Sequence, residues 1–494
     1  MAPTVTAATR DQVLERAVRV ADRLADVQEI GQRWRDAPYL VGCALLWEQL
    51  PAQHPARGRL WQRVDERTAR GFAVVTHGDQ TAFAQAAMDL ARLAPPDADA
   101  FRRDKLAVTD SSLAFVERAL RVDARGADPV DGWWVASGYG CRFWQDDLFM
   151  VLPWLAMRGS SGSGLPCETT ARDLAYEWLE AHAFDHRKSL NGASDGDVPS
   201  RHCRRRSGWD RAEPITGRLL YDPLSGLWWH DPGDVGSSEY WCRGNGWVAA
   251  ALARTQHFLD VPYGGSAFER VVDRAEMRRL LAHQAARLKI ERNSYGTWNG
   301  DIVRRDRYPL AESSGSALIV YMLATGVAEG WLDEPTYGPV LAKAFHALTL
   351  LVDAEGDVHH IERSVDSPSP GPYLASDAHG VNLNYGPGAF LMASAAMARL
   401  EPWLAVMEST EAEVIPRARF AVDGDRLVID VADLDLDLDG VEEVGAVSAQ
   451  LFLDARIEGS FLSVANRANG PIVVFARWPA AQAQRWTEPV LLTR

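Results

Sequence analysis

The chain has 494 residues, of which 47% are hydrophobic and 24% charged, and its formal net charge is −15. That length exceeds what one compact core usually holds, so a large repetitive core with an appendage, or two to three domains, is expected. The excess of 67 Asp and Glu over 52 Lys and Arg argues against a field that gathers nucleic acid or an anionic membrane, and an anionic ligand then needs a local basic pocket.

Residues Met1 to Thr9 carry neither the basic start nor the apolar run of a signal peptide, and no uncharged apolar stretch is long enough to span a bilayer. A cytoplasmic protein without a membrane or nucleic-acid partner is expected. From Asp11 to Ile30, Leu14, Ala17, Val18, Ala21, Leu24 and Val27 recur at helical spacing, with Arg and Asp on the other face. Further helices are predicted at about 39–50, 58–74, 80–93, 99–122, 145–158, 168–183, 246–260, 266–288, 313–328, 335–352 and 386–400, separated by loops rich in Gly, Pro and Asp. A long helical series without alternating strands points away from Rossmann and triosephosphate-isomerase folds. It favours a helical array, either an open solenoid or a closed toroid.

The connection 184–240 is far longer than an ordinary loop and carries Arg201 to Arg206, then Trp209, Tyr221, Trp228, Trp229 and His230. Its arginine run reads first as a solvated stretch and second as part of a substrate path. The pair His359-His360 is expected at the surface. After Leu400 the period becomes two: Phe420, Val422, Leu427, Ile429 and Val431 alternate with polar residues, and Leu434, Leu436 and Leu438 alternate with Asp433, Asp435, Asp437 and Asp439. Strand-like runs follow near Ala446 to Leu453 and Pro471 to Phe475. The division is therefore a helical domain, 1–409, and a β-rich appendage, 410–494, expected to pack on the helical body or on a second subunit. Asp435-x-Asp437-x-Asp439-Gly440 has the opening of a calcium loop, but Ala446 stands where a bidentate Glu is required. The five cysteines, Cys43, Cys141, Cys167, Cys203 and Cys242, form no Cys-x-x-Cys pair and read as reduced thiols, so no metal site is expected.

Three clusters carry chemistry. Trp241-Cys242-Arg243-Gly244-Asn245-Gly246-Trp247 combines two indole faces that suit a pyranose ring, a guanidinium fork that suits a carboxylate, and two glycines that permit close backbone approach. Its plain alternative is a helix N-terminus capped near Asn245 and followed by the buried run Val248 to Leu252. Trp144-Gln145-Asp146-Asp147 opens an apolar helix. Dipole and capping account for one carboxylate, whereas aromatic neighbours favour a desolvated carboxyl of raised pKa, as a general acid needs. Tyr221-Asp222-Pro223-Leu224-Ser225-Gly226, leading to Trp228, Trp229 and His230, is a turn followed by aromatics.

Together these clusters resemble the signatures of unsaturated uronyl hydrolases, glycoside hydrolase families 88 and 105. The stretch Trp241 to Trp247 is similar to Trp-Gly-Arg-Gly-Asn-Gly-Trp, with Cys242 replacing a small residue. Trp144-x-Asp146 is similar to a Trp-x-Asp helix start whose Asp is the proton donor; this implies Asp146, with Asp147 as the adjacent alternative. Asp222 to His230 resembles Asp-x-x-Thr-Gly-Leu-aromatic-aromatic-His, with Ser225 for Thr and His230 as the substrate-contacting histidine. Glu312-Ser313-Ser314-Gly315-Ser316-Ala317 and Asn384-Tyr385-Gly386-Pro387-Gly388 resemble two further helix starts. Asp79 stands about where the family keeps a second acid, and an N-cap explains it equally well.

The resemblance covers roughly residues 35–400. It implies a mainly α fold, an (α/α)6 toroid, and catalytic carboxylates among Asp146, Asp147 and Asp79. Trp144, His230, Trp241, Arg243, Asn245, Trp247 and Tyr385 are the implied substrate-binding set. The implied reaction removes a 4,5-unsaturated uronic acid from the non-reducing end of a small lyase-generated oligosaccharide, without metal or organic cofactor. Another (α/α)6 carbohydrate enzyme, such as an epimerase or inverting glycosidase, and a non-catalytic helical-array binding protein are the alternatives.

Overall fold

A computed structural model of the chain describes residues 9–120, 144–160, 171–179, 220–230, 238–259, 274–363 and 379–406, apart from a few positions within these spans, and the backbone of eight strands between 420 and 492. In chain order the first helices are α1 (Arg10–Val27), α2 (Ala37–Gln49), α3 (Ala56–Arg67), α4 (Ala84–Leu93), α5 (Asp99–Val108), α6 (Asp110–Leu120), α7 (Asp146–Gly159) and α8 (171–179). They are followed by α9 (Cys242–Phe258), α10 (Arg274–Ile290), α11 (Ser313–Ala328), α12 (Glu334–Leu350), α13 (Tyr385–Met397) and α14 (Glu401–Val406). Among the described residues no helix is long and apolar enough to cross a membrane.

The chain forms two compact units. One comprises Ile30–Ser237 and Trp247–Arg287; the other comprises Met1–Glu29, Ser238–Gly246 and Leu288–Arg494. In the first unit, α7 is buried along its whole length, as an all-round apolar helix requires. Within the same unit Arg254 on α9, itself buried, donates to Asp89 Oδ2 at 2.8 Å and Gln85 Oε1 at 3.1 Å. The single helix expected at 99–122 is two helices, α5 and α6. At the break, Thr109 Oγ1 donates to the Leu106 carbonyl at 2.8 Å, and Arg158 of α7 binds both Thr109 and Asp110.

In the second unit, α1 shows the expected division of faces, burying Leu14, Ala17, Val18, Ala21 and Leu24, and opens with a capping box between Thr9 and Gln12. Helices α11 and α13 are buried throughout α13 and along Ser313 to Val327 of α11. His359 and His360, expected at the surface, are both buried. The turn before them is held from within: Asp353 Oδ2 lies 2.8 Å from His359 Nε2, and Asp357 pairs with Arg23 of α1 at 2.6 Å. Gly356, at φ 94, lets this turn lie against the Arg19 carbonyl.

The short strands β1 (Ile361–Glu362) and β2 (His379–Gly380) pair antiparallel. Beyond them lie β3 (Phe420–Asp423), β4 (Arg426–Asp430), β5 (Glu443–Ser448), β6 (Leu451–Leu453), β7 (Ala455–Glu458), β8 (Phe461–Ala465), β9 (Ile472–Arg477) and β10 (Val490–Leu492). They form two four-stranded antiparallel sheets, in the orders β3-β4-β8-β7 and β10-β9-β5-β6. The alternation of Phe420 and Val422 with Leu427 and Ile429 thus belongs to one hairpin, in which Val422 faces Leu427 and Phe420 faces Ile429. The Asp433 to Asp439 run, Arg201 to Arg206, Trp209, Cys141, Cys167 and Cys203 lie outside the described residues.

Candidate active site

In the first unit the site is built on the start of α7. Asp146 and Asp147 occupy its first turn, where the helix dipole favours negative charge. Their environments then separate them. Asp147 Oδ2 accepts the Trp144 N–H at 3.1 Å, and the Asp147 carbonyl accepts Trp178 Nε1 at 3.2 Å, so this residue ties down the chain entering the helix. Its carboxyl is held well above the usual carboxylate range, first by burial and then by the charges of Asp79 and Asp146, with the Trp144 N–H opposing the shift. Asp146 keeps 12% of its side-chain surface exposed, and its Oδ2 lies 3.6 Å from His230 Nε2. Of the two carboxyls, Asp146 is the one a ligand can meet.

His230 is delivered by the loop 220–230. Tyr221 bridges to Trp228, Asp222 accepts the Leu224 N–H at 3.0 Å and the Ser225 hydroxyl at 2.6 Å, and Gly226 turns the chain at φ 78. Tyr221 Oη lies 2.6 Å from His283 Nδ1 on α10, which anchors the loop from behind. At its far end the His230 carbonyl accepts the Gln145 N–H at 3.0 Å, and the imidazole stacks on Trp144 with ring centroids 5.5 Å apart. The structure therefore brings together Trp144, Asp146, Asp147 and His230, with Asp79 on the 3-10 turn Gly78–Thr81 close enough to act on Asp147. Trp247, expected at a sugar, is wholly buried, with its ring 4.8 Å from Phe149.

The second unit holds the other expected residues. The helix α9 starts four residues earlier than the spacing predicts: Asn245 lies inside its first turn, where its N–H and its Nδ2 both donate to the Trp241 carbonyl at 3.0 Å. Arg243 has no exposed surface. Its Nη1 donates to the Glu362 carbonyl at 2.6 Å and its Nη2 to the Arg363 carbonyl at 3.0 Å, and the rings of Trp241 and Tyr385 cover it at 4.4 and 4.7 Å. Glu312 Oε1, also buried, lies 3.9 Å from Nη1. The fork expected to hold a ligand carboxylate is thus engaged by main-chain carbonyls, and Tyr385 Oη donates to the same Glu362 carbonyl at 2.7 Å.

Two residues here, Glu362 and Asp301, carry no motif of their own in the sequence, and the role of a third, Glu312, was not legible there. Glu362 sits on β1 as the partner of Arg243, Tyr385 and Trp241, whose Nε1 donates to Glu362 Oε2 at 3.0 Å. Glu312 was visible only as the first letter of a helix start; it accepts the Ser314 and Gly315 N–H groups, the Ser314 hydroxyl and, at 3.2 Å, the Glu362 N–H. Asp301 bridges to Trp241, and burial raises its carboxyl to about 7. Cys242 is buried, and burial is the first cause that pushes its thiol well up. Among the described residues no group of three or more His, Cys, Asp or Glu is disposed to hold a metal ion.

Residues 120–401 match the profile of Glycosyl Hydrolase Family 88. A relative from Formosa agariphila, an unsaturated 3S-rhamnoglycuronyl hydrolase, is 31% identical over 162 residues, which are 33% of this chain and 39% of the relative. A second protein of the same description, from Alteromonas sp. (strain LOR), is 30% identical over 164 residues, 33% of this chain and 36% of the relative. The matched regions span well under two thirds of either relative. Among solved structures, a glycosyl hydrolase family 88 protein from Bacteroides vulgatus superposes with a TM-score of 0.56 at 19% identity, covering 79% of this chain and 99% of the other. A possible member of family 105 from Klebsiella pneumoniae subsp. pneumoniae gives 0.57 at 16% identity, covering 79% and 94%. At these identities the likeness concerns the fold, and it bears out the mainly helical (α/α)6 class.

Proposed function

The chain belongs to Glycosyl Hydrolase Family 88, and from that premise we propose that it removes a 4,5-unsaturated uronic acid from the non-reducing end of lyase-generated oligosaccharides. The observation that carries the reading is the arrangement at the start of α7, where a partly exposed Asp146 stands 3.6 Å from His230 and beside the Trp144 ring that His230 stacks on. An enol ether needs one group that gives a proton and then takes one. In the proposed reaction Asp146 protonates C4 of the unsaturated sugar; the carboxylate it leaves takes a proton from the water that adds at C5. The hemiketal so formed opens and expels the aglycone, with no glycosyl-enzyme bond of the kind a retaining glycosidase forms. His230 orients the Asp146 carboxyl and the sugar, and Trp144 offers a ring face to it. Asp147, engaged with the Trp144 N–H, serves the helix start, and Asp79 raises its proton affinity.

Loss of the ultraviolet absorbance of the conjugated enol acid reports the reaction directly. Asp146→Asn is expected to slow it by at least about a hundredfold while leaving the melting temperature near that of the parent. Near-normal rates in that variant, with Asp147→Asn inactive, would transfer the proton donation to Asp147. The substrates to compare are lyase-cut and acid-cut fragments of one polymer, since an epimerase or inverting glycosidase would act on the saturated fragments. The descriptions of the two curated relatives favour a rhamnose-linked uronate as the first lyase product to try.

A further inference from the structure

Helix α7, whose first turn carries Asp146 and Asp147, has a proline in its interior, Pro153. Proline has no N–H, so the carbonyl of Phe149, four residues earlier, does not receive from it the hydrogen bond an α-helix would place there. Phe149 is wholly buried, and a buried carbonyl calls for a donor from elsewhere. Gln85 of α4, also wholly buried, supplies one: its Nε2 donates to the Phe149 carbonyl at 2.6 Å. The other end of the amide is fixed as well, because Oε1 accepts Arg254 Nε at 3.1 Å and Arg254 Nη2 donates to Asp89 Oδ2 at 2.8 Å. A guanidinium only donates and a carbonyl only accepts, so the amide fits between them in a single orientation. A second fastening lies beside the first. Thr81 Oγ1 stands 2.9 Å from the Met150 carbonyl, to which Trp154 Nε1 also donates at 3.1 Å.

Phe149 and Met150 lie one helical turn after Asp146, and Thr81 closes the turn Gly78–Thr81 that holds Asp79. All of these residues belong to the first unit. The short segment that carries Asp79 and Gln85 thus grips α7 just below its catalytic start. We propose that Gln85 is a positioning residue for proton transfer: by holding the carbonyl that Pro153 leaves open, it sets the start of α7, and with it the Asp146 carboxyl, against the turn that holds Asp79. The inference rests on the reading of Asp146 as the proton donor. Gln85 touches no substrate and acts through Asp146, on the rate of the chemical step and not on affinity, since proton transfer is sensitive to small displacements of the donor.

The test is steady-state kinetics on an unsaturated disaccharide, with thermal melting of each variant alongside. Gln85→Met keeps the length of the side chain and removes the amide; it is expected to lower kcat about tenfold while KM stays within about twofold, the pattern of a misplaced catalytic group and not of lost binding. Pro153→Ala gives the Phe149 carbonyl an N–H from the helix itself and, because a carbonyl has two lone pairs, leaves room for Gln85, so its kcat should stay within about threefold of the parent. In the double variant the carbonyl again has a donor, and the melting temperature should recover part of what Gln85→Met loses. Its kcat should stay about tenfold below the parent, because the tie to Gln85 is still absent. A folded Gln85→Met with kcat within about twofold of the parent overturns the inference. So does a kcat that returns together with the melting temperature in the double variant, since Gln85 would then serve stability alone. Should Gln85→Met fail to fold, the double variant set against Pro153→Ala decides, and equal kcat values overturn it. A parent that leaves the unsaturated disaccharide untouched, or an Asp146→Asn variant that turns it over normally, defeats the functional reading and this inference with it; an active parent, an inactive Asp146→Asn and an unaffected Gln85→Met defeat the inference alone.

Discussion

An arginine with no exposed surface has to be satisfied from within the protein, and Arg243 is satisfied by two carbonyls, a carboxylate and two rings. Its type and its neighbours were legible in the chain; its partners were not. The same holds for Asp301, which is wholly buried and accepts the Val303 and Arg304 N–H groups at 2.9 Å. Burial is the first cause of its rise to about 7, and those N–H groups act against it. Such a carboxyl holds its proton more tightly in the folded chain than in the unfolded one. The stability it lends is therefore complete below about pH 4, the ordinary range of an Asp, and is lost as the pH climbs through about 7. Asp301→Asn cannot ionise, so its unfolding free energy relative to the parent should climb between about pH 4 and pH 7, with a slope of at most about 1.4 kcal/mol per pH unit. A difference that stays flat over that range would show that Asp301 does not take up its proton on folding.

The helix starts are where elements and site meet. Gly315, in the first turn of α11, faces the first turn of α9 so closely that an added Cβ would lie 2.7 Å from the Arg243 nitrogen, the Cys242 sulfur and the Glu312 carboxylate. Two of those three atoms belong to backbone or to a fully engaged side chain, so neither can give way cheaply. Gly315→Ala is expected to cost about 1–3 kcal/mol, the usual range for overpacking, and to lower the urea midpoint without changing the slope of the transition. A midpoint equal to the parent's would mean that the two helix starts can separate. Sequence alone placed a helix at Ser313, and the structure supplies what its first turn is packed against. By contrast, the start of α9 was misplaced, because Asn245 looks like a cap and in fact donates backward to Trp241 from within the helix.

At the scale of the whole chain, the strands of the two four-stranded sheets all lie from Phe420 onward, whereas every residue proposed for catalysis or binding lies before 410. We propose that the appendage from residue 410 supports stability and takes no part in the reaction. Ending the chain after Ser409 is then expected to lower solubility or the melting temperature, because the few contacts of a small β segment are worth having only against a larger body. Turnover per folded molecule should stay within about threefold of the parent, a change of under about 1 kcal/mol in the barrier. Altered preference between disaccharide and longer substrates in the purified, folded truncation would instead make the appendage part of substrate choice.

What the sequence determined by itself was whatever neighbouring residues encode: helical period, the capping box at Thr9, the turn at Asp222 to Gly226, the switch to period two near Phe420, and the motifs that pointed to a hydrolase of unsaturated uronides. The tertiary structure alone decided which of two adjacent carboxyls is reachable, since Asp146 and Asp147 differ only in what burial and the Trp144 N–H do to them. It also decided that His359 and His360 are interior, and that Arg243 binds main chain 119 residues away. These outcomes depend on contacts between segments that are remote in sequence, and no local pattern of residue types specifies which distant carbonyl or carboxylate will stand where a buried cation needs it.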